Sequence, residues 1–357
     1  MSATAIKDIQ RLVECQSPTE DLAACVKVVE LAVEISAQVL EVPAKLVTEN
    51  GRPVFWWGAE KPKIVLLCHL DTVWSHNSFS PTWQIDGDSA KGPGILDMKA
   101  GFIQAMYALK GVAGAQSKVA LIATTDEETG SDTSKELVER LAKGADAVLV
   151  FESAIDGKVK TGRKGTAMYQ ISVTGKAAHA GLEPEKGINA TTELAKLVLQ
   201  ITDLANPAFG TTVVPTVMQA GTTTNTVPAE AKLDIDIRSF TMAELQRVDT
   251  AIKALSSPVA KVDVTGNIRR SPLEIASTKE LYEKLEVVAK RLGMPEIGHA
   301  SVGGASDGNF AAAVGAKVLD GLGAVGVGAH APTESIIIST IEPRIKLISA
   351  FITELLK

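Results

Sequence analysis

Residues 64–73 read Ile-Val-Leu-Leu-Cys-His-Leu-Asp-Thr-Val. The first five form an unbroken apolar run, which predicts a strand buried on both faces, as in a parallel sheet. His69-Leu70-Asp71 follows at once, so a histidine and a carboxylate stand at that strand's carboxyl end. Two more runs of the same kind, residues 119–124 and 147–151, are bounded by polar or glycine-containing segments. Helical patterns at 98–112 and 134–142 separate the three. This alternation of strand and helix is the mark of an α/β domain with a mainly parallel sheet.

The style changes near Lys164. Residues 166–174 alternate as a half-exposed strand does, and 189–204 are helical. Strand patterns at 212–219 and 231–239, a helix at 242–255 and a strand at 260–265 follow. The order β-α-β-β-α-β is ferredoxin-like. From about Pro272 the α/β style returns, with a helix at 278–292, a strand near 317–319 and a last helix over about 342–356. The reading is a catalytic domain at 1–164 and 271–357, interrupted by an inserted α+β domain at 165–270.

Composition narrows the function classes. The 357 residues carry 36 basic and 42 acidic side chains, and a formal charge of −6 gives no electrostatic reason to expect nucleic acid or an anionic membrane. Hydrophobic residues at 45% argue for a packed core and against disorder. Three cysteines cannot form a disulfide scaffold in so long a chain, which points to a reducing compartment. Residues 1–14 mix charges into a helical pattern and lack the apolar core of a secretory signal. No stretch approaches the ~20 apolar residues that span a bilayer. The expectation is a cytoplasmic protein.

The chemical signal lies in where acids and histidines fall. Besides His69 and Asp71, Asp97 follows Gly92-Pro93-Gly94, Asp126-Glu127-Glu128 ends the second strand, and Glu152 ends the third. Ligands of open α/β sheets collect beyond the carboxyl ends of the strands. So many carboxylates on one edge repel one another and call for cations, and zinc accepts both imidazole nitrogen and carboxylate oxygen. His330, after the last glycine-rich loop, supplies a further nitrogen. Each residue has a blander use: a packed histidine, an Asp97 helix cap, a solvated Glu127-Glu128 turn, a salt-bridged Glu152. The joint placement at successive strand ends favours one site over four coincidences.

The blocks His69-Leu70-Asp71-Thr72-Val73, Gly92-Pro93-Gly94-Ile95-Leu96-Asp97-Met98-Lys99 and Thr125-Asp126-Glu127-Glu128-Thr129-Gly130 closely resemble the signatures of the dizinc peptidases and deacylases typified by bacterial glutamate carboxypeptidase. That family also holds aminoacylases and succinyl-diaminopimelate desuccinylase. The resemblance continues through residues 175–181, 225–229 and 303–307, in order, over nearly the whole chain. It implies an α/β catalytic domain with a ferredoxin-like dimerisation (lid) domain, and two zinc ions per chain, with cobalt or manganese as substitutes. Asp97 would bridge them, His69 and Glu152 would hold one, and Glu128 and His330 the other. Glu127 would serve as general base and acid, taking a proton from the attacking water and returning it to the leaving amine. Asp71 would accept the second N–H of the His69 ring and fix its tautomer. Met98 stands where some members carry a second acid, while others have methionine there.

His179 reads from its own surroundings as a turn histidine. The resemblance gives it an oxyanion role in the partner subunit of a homodimer. Asn225 and Arg238 match substrate-lining positions, with a surface arginine the plainer reading of Arg238. Gly303 and Gly304 could expose backbone N–H groups to a substrate carboxylate. His76 and His299 gain no support. The implied activity is release of a C-terminal amino acid from a small peptide or N-acyl amino acid. A deacylase or desuccinylase is the alternative, and a non-catalytic binding relative the reading from another class. All six positions, Glu127 and the five ligands, are filled, which favours the enzyme.

Overall fold

A computed structural model describes residues 2–357 and divides into two compact units. The first runs to Gly162 and takes in Glu274–Val302 and Ser306–Lys357; the second comprises Arg163–Leu273 with Gly303–Ala305.

In the first unit the central sheet has six strands, in the order Lys45–Glu49, Arg52–Gly58, Val119–Thr124, Ile64–His69, Ala147–Val150, Val318–Leu319. The last four are mutually parallel, and the first two join antiparallel at one edge. Every residue of Ile64–His69, Val119–Thr124 and Ala147–Val150 is buried, because helices cover both sheet faces. The helix Ala100–Leu109 is buried along its whole length, with Phe102 meeting Phe55 edge-on at 4.9 Å. Register places the chemistry: His69 lies opposite Thr124, and Leu67 opposite Val150. The residues just past Thr124 and Val150 therefore emerge beside His69 on three adjacent strands.

A smaller four-stranded sheet, in the order Gly326–Val327, Ser335–Ile337, Ser89–Lys91, Gln84–Asp86, joins the carboxyl-terminal part of this unit to the segment before residue 92. Ser335 pairs with Lys91, which brings the loop 328–334 against the turn that follows Lys91.

The second unit is one antiparallel sheet and two helices. Its strand order is Thr212–Ala220, Glu230–Ser239, Gly165–Thr174, Lys261–Arg270, the ferredoxin-like arrangement. Alternate residues Ala167, Tyr169, Ile171 and Val173 are buried against Leu194, Leu197 and Ile201 of the helix Ala190–Thr202 and Leu245 and Val248 of Met242–Lys253. Burying each such aliphatic side chain is worth ~1.5–3 kcal/mol. Asn189 and Thr241 cap the two helices by accepting backbone N–H groups of Thr192 and Glu244.

Some expectations shift at element ends. The helix expected over 98–112 begins at Ala100, because Asp97 (φ −119°, ψ 89°) and Met98 (φ −134°, ψ 36°) are not helical. Asp97 thus caps no helix. The antiparallel edge strands Lys45–Glu49 and Arg52–Gly58 are not among the expected elements, although Asn50-Gly51 between them is a hairpin signal. Both residues have positive φ, 47° and 85°. Among the described residues, no helix is long and apolar enough to cross a membrane.

Candidate metal centre

Six side chains converge at the carboxyl edge of the parallel strands. The ligand atoms of His69, Asp97 and Glu128 lie within 4.8 Å of one another, as do those of His69, Glu127 and Glu152. His69 Nε2 is 3.2 Å from Asp97 Oδ1 and 3.7 Å from Glu152 Oε1. On the other side, His330 Nε2 is 3.2 Å from Asp97 Oδ2 and 3.1 Å from Glu128 Oε2. Asp97 therefore turns one oxygen to each histidine, and each histidine has a second carboxylate of its own. His69 is buried, whereas the His330 side chain is 51% exposed.

The backbone that carries these groups is specialised. Gly94 adopts φ 67°, and a Cβ there would sit 2.3 Å from Thr72 Cγ2, so only glycine fits the turn before Asp97. His330 itself has φ 62°, a left-handed conformation that a non-glycine residue adopts at a cost and that clusters at functional sites.

The electrostatics call for positive charge. Burial pushes the His69 imidazolium toward neutrality, yet hydrogen bonds to Asp71 and Asp97 carry its pKa well above the ordinary histidine value. Hydrogen bonds to Asp97 and Glu128 raise that of His330 to about 10. Burial works against ionisation of Asp97, but the two rings hold its carboxyl far below the usual range. Glu128 Oε1 is buried and has no hydrogen-bond partner, and Lys160 brings a buried ammonium to 3.9 Å from Glu152 Oε2. An acid-rich pocket that raises the pKa of both histidines and leaves a carboxylate oxygen unmatched fits a pair of divalent cations held by the same atoms.

Asp71 is fully buried. The second nitrogen of His69, Nδ1, lies 3.1 Å from the Asp71 backbone carbonyl and 3.4 Å from its carboxylate, so the nearer acceptor is the main chain. The other carboxylate oxygen accepts Thr19 Oγ1 at 2.9 Å and the Glu128 backbone N–H at 3.2 Å. Asp71 therefore also anchors the segment that bears Glu127 and Glu128. Arg52 reinforces it by donating to the carbonyls of Thr19 and Thr125 at 2.7 and 2.8 Å.

Two groups have roles that the sequence reading does not assign. Glu334, fully buried, accepts Trp74 Nε1 and the backbone N–H groups of Gly94, Leu96 and Asp97. Lys99, also fully buried, donates from Nζ to the carbonyls of Leu12 and Cys15 at 2.9 and 3.0 Å, and burial pulls its pKa down to about 8. Both lie in blocks that resemble the family, Lys99 in 92–99 and Glu334 in 328–334, but their roles are not legible there, since their partners are remote in sequence.

In the second unit, His179 and Asn225 lie on neighbouring loops: Ala180 N–H donates to the Asn225 carbonyl at 2.9 Å. The exposed His179 ring accepts the backbone N–H groups of Gly181 and Leu182 at Nδ1, both at 3.1 Å. Arg238 grips Asp236 through Nε and Nη2 at 3.0 and 3.3 Å. The carbonyl of Gly303 accepts Arg238, and those of Gly304 and Ala305 accept Arg163. The loop expected to offer N–H groups is thus seen to spend its carbonyls on guanidinium groups.

The model for peptidase family M20/M25/M40 matches residues 65–354, most of the chain. Carboxypeptidase G2 of Pseudomonas sp. (strain RS-16) is 34% identical over 309 residues, covering 82% of this chain and 74% of that protein. The chain belongs to peptidase family M20/M25/M40. As a member it is a metal-dependent hydrolase of amide bonds. Succinyl-diaminopimelate desuccinylase of Sulfurovum sp. (strain NBC37-1) is 24% identical over 303 residues, 80% of this chain and 81% of the relative. Among solved structures, aminopeptidase PepT from Bacillus cereus ATCC 10987 superposes with a TM-score of 0.80 at 22% identity, covering 100% of this chain and 99% of the other. The Bacillus subtilis YXEP protein, a dinuclear metal binding peptidase from the M20 family, gives 0.74 at 13% identity, covering 99% and 98%. At such identities these two structures establish the shared fold alone.

Proposed function

We propose that this family member is a cytoplasmic, homodimeric dizinc hydrolase that releases a C-terminal amino acid from a small peptide or an N-acyl amino acid. The observation that carries the reading is Asp97, whose two oxygens face two different histidines at 3.2 Å each. Two zinc ions bridged there, one on His69 and Glu152 and one on His330 and Glu128, would supply Lewis acidity and draw the pKa of a water toward ~7. Glu127 stands beside His69 and Glu152 and binds no metal in this reading. It takes the proton of the attacking water and hands it to the departing amine nitrogen, so one carboxylate serves as base and then as acid. Separation of labour between neighbours is the point: Glu128 holds, Glu127 shuttles.

His179 acts in the partner subunit. Because its Nδ1 already accepts two backbone N–H groups, the neutral ring carries its hydrogen on Nε2, as an oxyanion donor must. The edge strand Thr212–Ala220 exposes Val214, Val217 and Met218 by roughly half, an edge that pairing with a second copy would cover. Asn225 and Arg238 line the substrate from the inserted domain, Gly303 and Gly304 from the glycine loop, with Arg238 exchanging Asp236 for a substrate carboxylate. Buried free thiols at Cys25 and Cys68 accord with a reducing compartment.

The carboxypeptidase reading is supported by the 34% identity to carboxypeptidase G2, and the desuccinylase relatives keep N-acyl deacylation as the second reading. The test is a panel of dipeptides, N-acyl amino acids and succinylated diamino acids, assayed with added zinc or cobalt and with chelator. Release of a C-terminal amino acid from peptides or acyl conjugates, abolished by chelator, is the expected result. Turnover confined to succinylated substrates would overturn it in favour of the second reading.

A further inference from the structure

Asp97 can face two histidines only if the turn that carries it and the loop that carries His330 keep a fixed separation. Gly94 is left-handed, and Asp97 and Met98 are outside the helical region. The turn's own hydrogen bonds run from the N–H groups of Ile95, Lys99 and Ala100 to the carbonyls of Gly92, Gly94 and Ile95, and they leave the N–H groups of Gly94, Leu96 and Asp97 to other acceptors. These three N–H groups need an acceptor from elsewhere, since a buried N–H left unmatched costs ~1–3 kcal/mol. One side chain meets them. Glu334 Oε1 accepts Leu96 N–H at 2.9 Å and Asp97 N–H at 3.1 Å, while Oε2 accepts Gly94 N–H at 3.0 Å and Trp74 Nε1 at 2.8 Å.

Glu334 belongs to the loop of His330. Its own N–H donates to the Ala331 carbonyl at 2.9 Å, Ala331 N–H donates to Gly328 at 2.8 Å, and its carbonyl accepts Gly92 N–H at 3.4 Å. Gly328 (φ 81°) has no room for a Cβ, which would lie 2.7 Å from Thr333 Oγ1, so this loop is as constrained as the turn. A single carboxylate therefore ties the backbone of the bridging aspartate to the loop of the exposed histidine.

We infer that Glu334 is a positioning residue that sets the spacing between Asp97 and His330, and with it the affinity and geometry of the second metal, the one shared by Asp97, His330 and Glu128. The inference rests on the two-metal reading given above. All four partners of Glu334 are donors, which suits a carboxylate that only accepts. An amide in its place turns an NH2 toward two of those donors while keeping size and shape, so Glu334→Gln perturbs the clamp without opening a cavity. The His69–Glu152 side shares Asp97 but has no direct bond to Glu334 among those just described, so it is expected to lose less affinity than the second site.

The experiment compares full-length wild type and Glu334→Gln, stripped with chelator and titrated with cobalt(II). Bound equivalents are counted and the visible cobalt spectrum is recorded at each step. Wild type is expected to bind two equivalents; a single one would overturn the two-metal reading itself, along with the inference. With two in wild type, Glu334→Gln is expected to bind the first equivalent with less loss and the second ~10–100-fold more weakly. Its two-cobalt spectrum changes, and kcat falls more than KM rises. A merely structural role would lower the melting temperature yet leave the second equivalent and its spectrum untouched, and that result overturns the inference. If Glu334→Gln does not fold, Trp74→Phe removes one donor and keeps the carboxylate. A smaller loss of the same second equivalent supports the inference, and unchanged titration refutes it.

Discussion

The two units hold their polar residues in opposite ways. In the first, His69, Asp71 and Glu334 are buried, each with fixed partners at strand ends and turns. In the second, His179 and Asn225 stand on exposed loops and are held mainly by their own neighbourhood. Buried carboxylates and imidazoles make a rigid site whose geometry is complete within one unit. Exposed loop residues are suited to a task that begins only when substrate or a second copy arrives. Chemistry should therefore fail in different ways on the two sides: by loss of proton transfer or metal in the first, and by loss of transition-state contacts in the second.

The sharpest test of that contrast is Glu127→Ala. It should lower kcat by ~10²–10⁴ while both metals stay bound, as elemental analysis will report. Near-native turnover would remove Glu127 as the proton carrier. Next in size, His179→Ala should cost ~10²–10³ in kcat with metal content unchanged. Verified heterodimers of Glu127→Ala and His179→Ala chains should each recover one working site, about a quarter of wild-type activity in a random mixture. No recovery in such heterodimers would place His179 in its own subunit's site or outside the chemistry.

A smaller effect divides the first unit itself. Glu128→Ala should weaken one metal equivalent by ~10–100-fold, read by titration with zinc after chelation, and leave the other in place. Simultaneous loss of both would show that the two halves are not separable. The mildest expectation concerns pH. In the metal-free protein the His330 pKa is raised to about 10, so its ion pairs contribute stability that is full below the ordinary histidine value of ~6.5 and is lost as pH rises through about 10. Thermal unfolding in chelator should decline over that window, and His330→Ala should flatten the decline. An identical slope in the variant would assign it to other groups.

The same contrast governs what is legible in the sequence. The parallel strands announce themselves as buried apolar runs, and a residue just past such a strand can reach only one sheet edge. His69, Glu127, Glu128 and Glu152 stand out on that ground, and the structure brings their ligand atoms to one place. Asp97 and His330 lie on an irregular turn and a left-handed loop, where periodicity says nothing, and block resemblance is what gives them their roles. Glu334 escapes notice because its side-chain partners are 237 to 260 residues away in sequence, joined by a strand pairing that no local pattern encodes. His179 and Arg238 show the reverse case: their contacts within the unit are ordinary loop and ion-pair contacts, so their interest comes from resemblance.

Lys99 closes the first helix of the chain and stands two residues after Asp97. Its ammonium lies on the carbonyls of Leu12 and Cys15, just where the helix Ser2–Glu14 leaves its last acceptors open. The amino-terminal helix is thus tied to the turn that carries Asp97. A proteolytic nick near residue 15, or a fusion partner that pulls this helix away, would leave a buried amine without its two acceptors, a loss of about 1–3 kcal/mol. The damage is expected first at the turn beside Lys99, so a nicked protein should hold added metal more weakly while the inner sheet is still folded.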